Sequence, residues 1–341
     1  MSMKKMVEGF VHRPGVHCES SALRDVFEHH GFRFSEEMIF GLGSGLGFVY
    51  WKGRRMSYPF VGGRAKGLVE NLCGNLGVAL KVHTTSGRKR AYRAVRELIG
   101  RDTPVVINVD MPFLSYLGVP GEAHFGGHCV VVAGLDEEEG VAYVADTEFK
   151  ELQKASLREL EAARASGFKP FPPRNRWFTF TFPEGLTPMD VAIRSAIRKT
   201  VETMLYSPAG FLGVKGIRRF AGDVGEWPGE YPPGECAWLY DVVHVFLEED
   251  GTGGGCFRYL YSRFLREVGE VIGDDRYSVL AGEYHRVGQK WTDAASLIRD
   301  IPHAMDGKLA EVKRLLLEIA GDEERALRSL DRLTRRSKEA R

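Results

Sequence analysis

The spacing of apolar residues changes character near residue 185. Before that point, short runs rich in valine and aromatic residues predict β-strands, at residues 78–82, 104–109, 129–135, 141–146 and 177–182. From Thr187 onward apolar residues recur with helical spacing, and the segment 187–190 is typical of a helix start. We therefore predict an α+β domain over residues 1–185, with a mostly antiparallel sheet, and a mainly helical domain over residues 186–341.

An early helix is predicted immediately after Cys18. Its apolar side chains fall on one face, at Ala22, Leu23, Val26 and Phe27. Gly31 ends it, and residues 35–37 (Ser-Glu-Glu) then predict a second helix. The following segment 41–47 alternates glycine with other residues, but it lacks the spacing of a phosphate-binding loop. We expect close backbone packing there, beside the helix that begins at Cys18.

The charge balance and the cysteine content argue against several classes of protein. Lys and Arg total 47 against 46 Asp and Glu, which gives a net charge of +1 and makes a nucleic-acid partner unlikely. The five cysteines are odd in number and widely spaced, which argues against a disulfide framework. The longest apolar run, residues 129–135, is too short to span a membrane, and no signal-like apolar segment begins the chain. We expect a cytoplasmic protein, and its oligomeric state, homo-oligomer included, stays open.

Three residues have the order and setting of a catalytic triad. Cys18 lies at the predicted start of a helix, where backbone N–H groups stabilise a thiolate and an oxyanion. His128 begins one strand and Asp146 ends the next, so a hairpin brings them together. In this arrangement Cys18 is the nucleophile, His128 the base and Asp146 the group that orients the base. Each residue taken alone also fits an ordinary structural role.

Other residues compete for these roles. His124, in the loop before the strand, is an alternative base. His17 directly precedes the nucleophile and is expected to point away from its sulfur. Cys129 alternates to the opposite face of the strand from His128, into the core. A metal site formed by His12, His17, Cys18 and His128 is conceivable but matches no standard zinc spacing, so no metal is expected.

Several segments resemble the butirosin biosynthesis protein H family. In the first half these are residues 14–18 (Pro-Gly-Val-His-Cys), residues 40–43 (Phe-Gly-Leu-Gly), and Gly127-His128 followed by the hairpin to Asp146. In the second half, residues 251–261 resemble the helical domain of unknown function that accompanies it. The resemblance implies a papain-like cysteine peptidase or acyltransferase fold, followed by the helical domain.

The resemblance also implies an activity: an aminoacyl-type chain passes from an acyl carrier protein, through an acyl-thioester enzyme, to the amine of a small molecule. No cofactor is expected, although the donor would carry phosphopantetheine. Cysteine peptidase or amidase activity would use the same triad, and a non-catalytic binding protein could keep the same fold. Papain-like enzymes often use a Gln before the cysteine for the oxyanion, but this chain has none before Gln153. We expect His12, with the Cys18 backbone N–H, to replace it.

Substrate contacts are expected from His17, Gly127 and Arg258. Arg258 follows the glycine-rich segment 251–255, and a helix start of this kind could hold an anion such as the phosphate of a pantetheine arm. A flexible entry to the helix is the simpler interpretation of the same glycines. A cluster of cations at Lys215, Arg218 and Arg219 could contact an acidic carrier protein, although such clusters are usually solvated surface.

Overall fold

The computed structural model describes residues 2–54, 56–303 and 305–336. Positions 1, 55, 304 and 337–341 of the two predicted domains lie outside the described residues. The strands of the described part are β1 (Lys4–Met6), β2 (Leu46–Trp51), β3 (Phe60–Arg64), β4 (Ala79–His83), β5 (Val105–Val109), β6 (His128–Asp136), β7 (Val141–Ala145), β8 (Gln153–Ser156) and β9 (Trp177–Thr181).

Helices form most of the second half of the chain. They are α1 (Cys18–His29), α2 (Glu36–Leu42), α3 (Leu68–Leu76), α4 (Arg88–Gly100), α5 (Leu157–Ala165), α6 (Met189–Val201), α7 (Gly213–Asp223), α8 (Trp227–Glu230), α9 (Pro233–His244), α10 (Arg258–Ile272), α11 (Asp275–Asp300) and α12 (Met305–Arg336). None of the helices in the described ranges is both long enough and apolar enough to cross a membrane.

The chain divides into two compact units, one of residues 1–39 and 77–186, the other of residues 40–76 and 187–341. An α+β first part and a largely helical second part are thereby confirmed. The units differ from the predicted linear division in one respect, because segment 40–76 packs with the C-terminal part. Whether residues 1–185 and 186–341 act as separate domains stays a prediction.

Glycines explain why segment 40–76 belongs to the second unit. A Cβ atom on Gly41 would lie 2.1 Å from the ring of Phe264, and one on Gly63 would lie 2.4 Å from Cys256 Sγ. Only glycine allows backbone to approach so closely. The glycines of segment 41–47 do serve close packing, as expected, but Gly41 makes its close contact with α10 of the second unit.

The first unit is built on one antiparallel sheet. In the described residues this sheet has seven strands. Six of them follow the order β4-β9-β5-β6-β7-β8. The seventh, β1, pairs with the last residues of β6, whose first residues pair with β5. Strand β6 is buried along its whole length, which matches its position between paired neighbours. The starts of β6 and β9 and the ends of β4, β5 and β7 lie at one edge of the sheet, because neighbouring strands are antiparallel.

All five predicted strands of the first part are present, with ends displaced by one residue at most. The strands that the pattern did not predict are β1, β2, β3 and β8. Two of them are short and polar, with the sequences Lys-Lys-Met and Gln-Lys-Ala-Ser, so they carry no apolar alternation. Strands β2 and β3 pair with each other in the second unit.

The second unit is mainly helical and has its own core. Trp227, Trp291 and Phe264 are fully buried in it. The predicted apolar stripe of the last helix is also buried, at Val312, Leu316 and Ile319. This core forms without any side chain of the proposed catalytic triad.

Candidate active site

Cys18 is the first residue of α1, and a cap formed by the preceding residue fixes the start of the helix. His17 has an extended backbone, and its Nδ1 accepts a hydrogen bond from the backbone N–H of Ser20 at 3.3 Å. The cap allows the helix to begin exactly at the cysteine. The Cys18 thiol is partly exposed, so it combines a helix N-terminus with access from solvent.

A buried carboxylate holds the turn that leads into Cys18. Glu36 accepts hydrogen bonds from the backbone N–H groups of Val16 and His17, at 2.9 and 2.8 Å, and from the Ser20 hydroxyl at 2.9 Å. Burial raises the pKa of Glu36 despite these hydrogen bonds. The sequence suggested only an acidic first turn of a helix here, so the contribution of Glu36 to the nucleophile's turn was missed.

His128 and Asp146 meet at the edge of the sheet where β6 begins and β7 ends. The β6–β7 hairpin pairs Val131 with Ala145, which brings the two flanking side chains together. His128 Nε2 lies 2.8 Å from Asp146 Oδ1, and both residues are more than nine-tenths buried. The hairpin geometry expected from the sequence is therefore the geometry observed.

The Cys18 thiol lies close enough to the same imidazole to affect its protonation. Because Nε2 faces the carboxylate, we expect Nδ1 to be the ring nitrogen that meets the sulfur. Burial alone would lower the pKa of His128, but Asp146 and the hydrogen bond with Cys18 outweigh it and raise the pKa to about 10. An imidazolium is thus favoured at neutral pH, flanked by a carboxylate and by a sulfur that can carry negative charge.

Asp146 is held by two further hydrogen bonds that the sequence did not reveal. The Tyr116 hydroxyl donates to Oδ2 at 2.8 Å, and the backbone N–H of Thr147 donates to Oδ1 at 2.7 Å. Burial opposes ionisation, but His128 and these donors lower the pKa of Asp146. Burial and the adjacent carboxylate raise the pKa of Tyr116. The carboxylate therefore stays ionised and its orientation is fixed.

Thr147 also connects the acid to the nucleophile's helix. Its hydroxyl lies 3.0 Å from the Ser21 hydroxyl on α1, and its carbonyl accepts from the backbone N–H of Gly15 at 2.8 Å. A proline at position 147 would lack the backbone N–H that Thr147 supplies to Asp146.

His12 does not have the role expected of it. Its Nδ1 lies 2.6 Å from Asp25 Oδ2, and its Nε2 lies 2.9 Å from the carbonyl of Phe149 and 3.2 Å from that of Asp146. Both ring nitrogens are thus used by protein acceptors, and no donor remains for an oxyanion. The expectation that His12 replaces the missing glutamine was wrong. Its contacts connect the N-terminal segment to the residues around Asp146.

In the first unit, the sequence predicts that His17 and Gly127 contact the substrate. The imidazole of His17 is buried, with 3% of the residue exposed, and it caps α1. A direct substrate contact is therefore contradicted for His17. Gly127 is half-buried directly before His128, and its carbonyl accepts from Asn108 Nδ2 at 3.4 Å. A substrate contact by Gly127 stays a prediction.

Arg258 is not available to a ligand. It is fully buried in the second unit, where Nε lies 2.5 Å from Glu323 Oε1 and Nη1 donates to the Cys256 carbonyl at 2.6 Å. The expected binding of an anion by Arg258 is wrong, because Glu323 already supplies the negative charge. The preceding glycines allow a left-handed turn, which continues through Cys256 and Phe257 with φ values of 53° and 70°.

The alternative base, His124, belongs to a different cluster. Its Nδ1 lies 2.9 Å from Asp110 Oδ2, and its ring stacks on Phe168 with the centroids 3.4 Å apart. The same carboxylate accepts from the Ser166 hydroxyl. The structure therefore pairs His124 with its own acid, Asp110, while His128 pairs with Asp146. Among the described residues, no group of three or more histidine, cysteine, aspartate or glutamate side chains could hold a metal ion.

Comparisons with protein families match two successive stretches of the chain. Residues 17–147 match the family model described as butirosin biosynthesis protein H, N-terminal. Residues 158–330 match the model described as domain of unknown function DUF4872. A comparison with curated proteins found no match. The chain therefore belongs to the family in which a butirosin biosynthesis protein H N-terminal domain is followed by a DUF4872 domain.

Proposed function

We propose that the protein is a cysteine-dependent acyltransferase with a papain-like catalytic arrangement. One observation carries the proposal: a partly exposed cysteine at a helix N-terminus lies near an imidazole that is hydrogen-bonded to a buried carboxylate. In this arrangement Cys18 is the nucleophile, His128 exchanges protons, and Asp146 orients His128 and stabilises its charged form.

In the acylation step, the Cys18 sulfur attacks the carbonyl carbon of a thioester donor. A new carbon–sulfur bond forms and the bond to the donor sulfur breaks. The departing thiolate takes the proton of the His128 imidazolium, which leaves His128 neutral. The products are an acyl-thioester enzyme and a free donor thiol.

In the transfer step, the nitrogen of an amine acceptor attacks the acyl-thioester carbonyl. Neutral His128 accepts a proton from the amine as the amide bond forms, and the bond to Cys18 breaks. The imidazolium and the Cys18 thiolate are thereby restored for the next cycle. Both steps place negative charge on the carbonyl oxygen, and the Cys18 backbone N–H at the start of α1 is our proposed donor to it.

The family name supports transfer over hydrolysis, because the matched N-terminal model is named for a biosynthetic protein. The donor we propose is an acyl carrier protein or another thioester, and the acceptor is the amine of a small molecule. Attack by water on the same intermediate would make the protein a peptidase or amidase.

Mass spectrometry distinguishes transfer from hydrolysis. The protein is incubated with a short-chain acyl thioester of N-acetylcysteamine, with and without a panel of small amines that includes aminoglycosides. We expect an acyl adduct on Cys18, and amide product when an accepted amine is present. Free acid as the only product, whatever amine is offered, would favour hydrolysis.

Two variants complete this test. Cys18→Ser should give no thioester adduct and no product, whereas Cys236→Ser, which removes another thiol, should behave as the wild type. Full activity of Cys18→Ser, or the absence of any adduct on the wild-type protein, would contradict catalysis by Cys18. The second outcome would favour a non-catalytic binding protein.

A further inference from the structure

A cluster of cations begins helix α4 of the first unit. Arg88, Lys89 and Arg90 occupy its first turn, and all three are exposed. Positive side chains at a helix N-terminus oppose the helix dipole, so they do not stabilise this helix. The N-cap residue, Gly87, offers no side-chain acceptor to the first turn. The start of α4 is therefore strongly positive, and helix stability does not account for it.

Three more exposed cations surround this turn. Lys81 lies on the neighbouring edge strand β4, Arg93 lies on the next turn of α4, and Arg174 lies in the turn before β9. The Arg174 turn contacts the segment that leads into α4, because the backbone N–H of Thr85 donates to the Arg174 carbonyl. We call the six cations the basic surface: Lys81, Arg88, Lys89, Arg90, Arg93 and Arg174.

A histidine beside the basic surface experiences its positive field. His83 ends strand β4, and its ring stacks on Trp177 with the centroids 4.7 Å apart. Burial and the charges of Lys81 and Arg90 all lower the pKa of His83. Lys81 on β4 and Arg90 on α4 thus act on the same imidazole.

The basic surface has no acidic partner in the described part of the chain. None of its six cations forms an ion pair with a described residue, and segments 77–96 and 169–182 contain no Asp or Glu at all. The cations suggested from the sequence for a carrier protein differ in this respect. Arg218 pairs with Glu324, Arg219 lies 3.8 Å from Asp223, and Lys215 donates to a backbone carbonyl.

The sheet places the basic surface at the same edge as the proposed catalytic residues. His83 pairs with Trp177, Trp177 with Ile107, and Ile107 with Val130, two residues beyond His128. Three strand spacings of about 4.8 Å, with this offset, separate the end of β4 from His128 by about 15 Å. A partner bound at the basic surface would therefore lie beside the triad without covering it.

We propose that the basic surface docks an acidic acyl carrier protein, which delivers its thioester along the sheet edge to Cys18. This inference rests on the proposed function and adds to it the place where the donor binds. A lysine on an edge strand also discourages strand pairing, but that explanation does not extend to the cations of α4. A flexible arm on the carrier would cross the distance between the docking surface and the sulfur.

A protein partner fits the charge of the chain better than a nucleic acid or a membrane. The net charge is only +1, so long-range attraction to a polyanion is weak, while a compact basic surface still matches an acidic surface of similar size. Charge pairs of this kind mainly increase the association rate, and their effect falls as salt rises.

Steady-state kinetics with two donors test the docking surface. One donor is an acyl group on the phosphopantetheine arm of a purified acidic acyl carrier protein, and the other is the same acyl group on N-acetylcysteamine. For Arg88→Glu combined with Lys89→Glu and Arg90→Glu, we expect kcat/KM to fall at least 10-fold with the carrier-bound donor. The small thioester should be used as by the wild type.

A control variant carries the same charge change on the second unit: Arg266→Glu, Arg286→Glu and Lys313→Glu, at three exposed positions. It should keep wild-type kinetics with both donors. The proposal is overturned if the α4 variant uses the carrier normally, or if the wild type binds a DNA duplex or anionic vesicles through these cations and gains nothing from the carrier. Failure of the wild type with both donors would instead contradict the proposed acyl transfer itself.

Discussion

Each compact unit contains a cluster made of a cysteine, a basic side chain and a carboxylate. The clusters are Cys18 with His128 and Asp146 in the first unit, and Cys256 with Arg258 and Glu323 in the second. In the second cluster Arg258 donates to both the carboxylate and the sulfur. In the first, His128 is hydrogen-bonded to the carboxylate, and the nearby sulfur helps to raise its pKa. Composition and pairing are therefore similar, yet only the first cluster is suited to covalent chemistry.

Two physical differences separate the clusters. The cation of the first is an imidazole, which can release and recover a proton, whereas a guanidinium stays protonated at any working pH. The sulfur of the first is partly exposed, whereas Cys256 is fully buried. Burial raises the pKa of the Cys256 thiol to about 12. A reactive cysteine thus needs access and a partner that exchanges protons, in addition to a nearby charge.

Thiol labelling should give the largest contrast between the two clusters. We expect iodoacetamide to modify Cys18 of the native protein at least about 10³-fold faster than Cys256, since a buried thiol reacts only when its unit opens, at a cost of several kcal/mol. Peptide mapping after timed labelling measures both rates. Equally slow labelling of Cys18 and Cys256 would contradict the higher reactivity that we expect of Cys18.

Removing the carboxylate of the second cluster should cost stability and leave the chemistry intact. Glu323→Ala leaves the Arg258 guanidinium buried without a counter-ion, so we expect a loss of about 3–5 kcal/mol in the free energy of unfolding. Urea denaturation measures the loss, and Cys18 labelling in the folded variant should be unchanged.

The matched control replaces both charges with apolar side chains. Arg258→Met combined with Glu323→Leu removes the pair without leaving a buried charge, so most of the lost stability should return. A double variant as unstable as Glu323→Ala alone would show that the ion pair itself, rather than the avoidance of a lone charge, stabilises this core.

Changing the carboxylate of the first cluster should instead affect catalysis. Asp146→Asn keeps the size of the side chain but removes the charge that stabilises the His128 imidazolium. We expect kcat/KM for acyl transfer to fall at least about 100-fold. Unfolding by urea should show a smaller change than Glu323→Ala produces. Near-normal turnover in Asp146→Asn would mean that the acid has no part in the reaction.

The charge of His128 should also appear in the pH dependence of stability. Its pKa is raised in the folded protein, so the protonated form contributes stability below the ordinary histidine value, and this contribution is lost as the pH rises toward about 10. We expect Asp146→Asn to flatten the decline of the unfolding free energy above pH 7. NMR titration of the His128 ring should show its pKa lowered in the variant, and an unchanged titration would contradict the assigned cause.

The smallest effect is expected from the tyrosine that supports the acid. Tyr116→Phe removes one hydrogen bond to Asp146, and we expect kcat/KM to fall by about 10-fold, near the lower end of the about 1.5–3 kcal/mol that a bond to a charged group contributes. Tyr92→Phe is the matched control, because Tyr92 donates a similar bond to Glu137 in the same unit. An equal loss of activity in both variants would point to a general structural effect.

Several features could be predicted from the sequence because each depends on local pattern. The strands carrying His128 and Asp146 have apolar runs of the right length, and the short turn between them dictates antiparallel pairing. The helix start at Cys18 and the helical second half follow from spacing and capping in the same way. Local pattern therefore predicted the hairpin that joins His128 to Asp146 and the helix start at Cys18, whereas the packing of that helix against the sheet depends on the complete fold.

Tertiary structure alone decided what surrounds those residues. His12 was assigned to the oxyanion because it precedes Cys18 closely, but a distant aspartate and two carbonyls use both of its nitrogens. Arg258 was assigned to an anion, but Glu323, 65 residues away, already neutralises it. Tyr116 and Glu36 support the site through contacts that no spacing rule reveals. A hydrogen-bond partner is chosen by proximity in space, and the sequence determines that only through the complete fold.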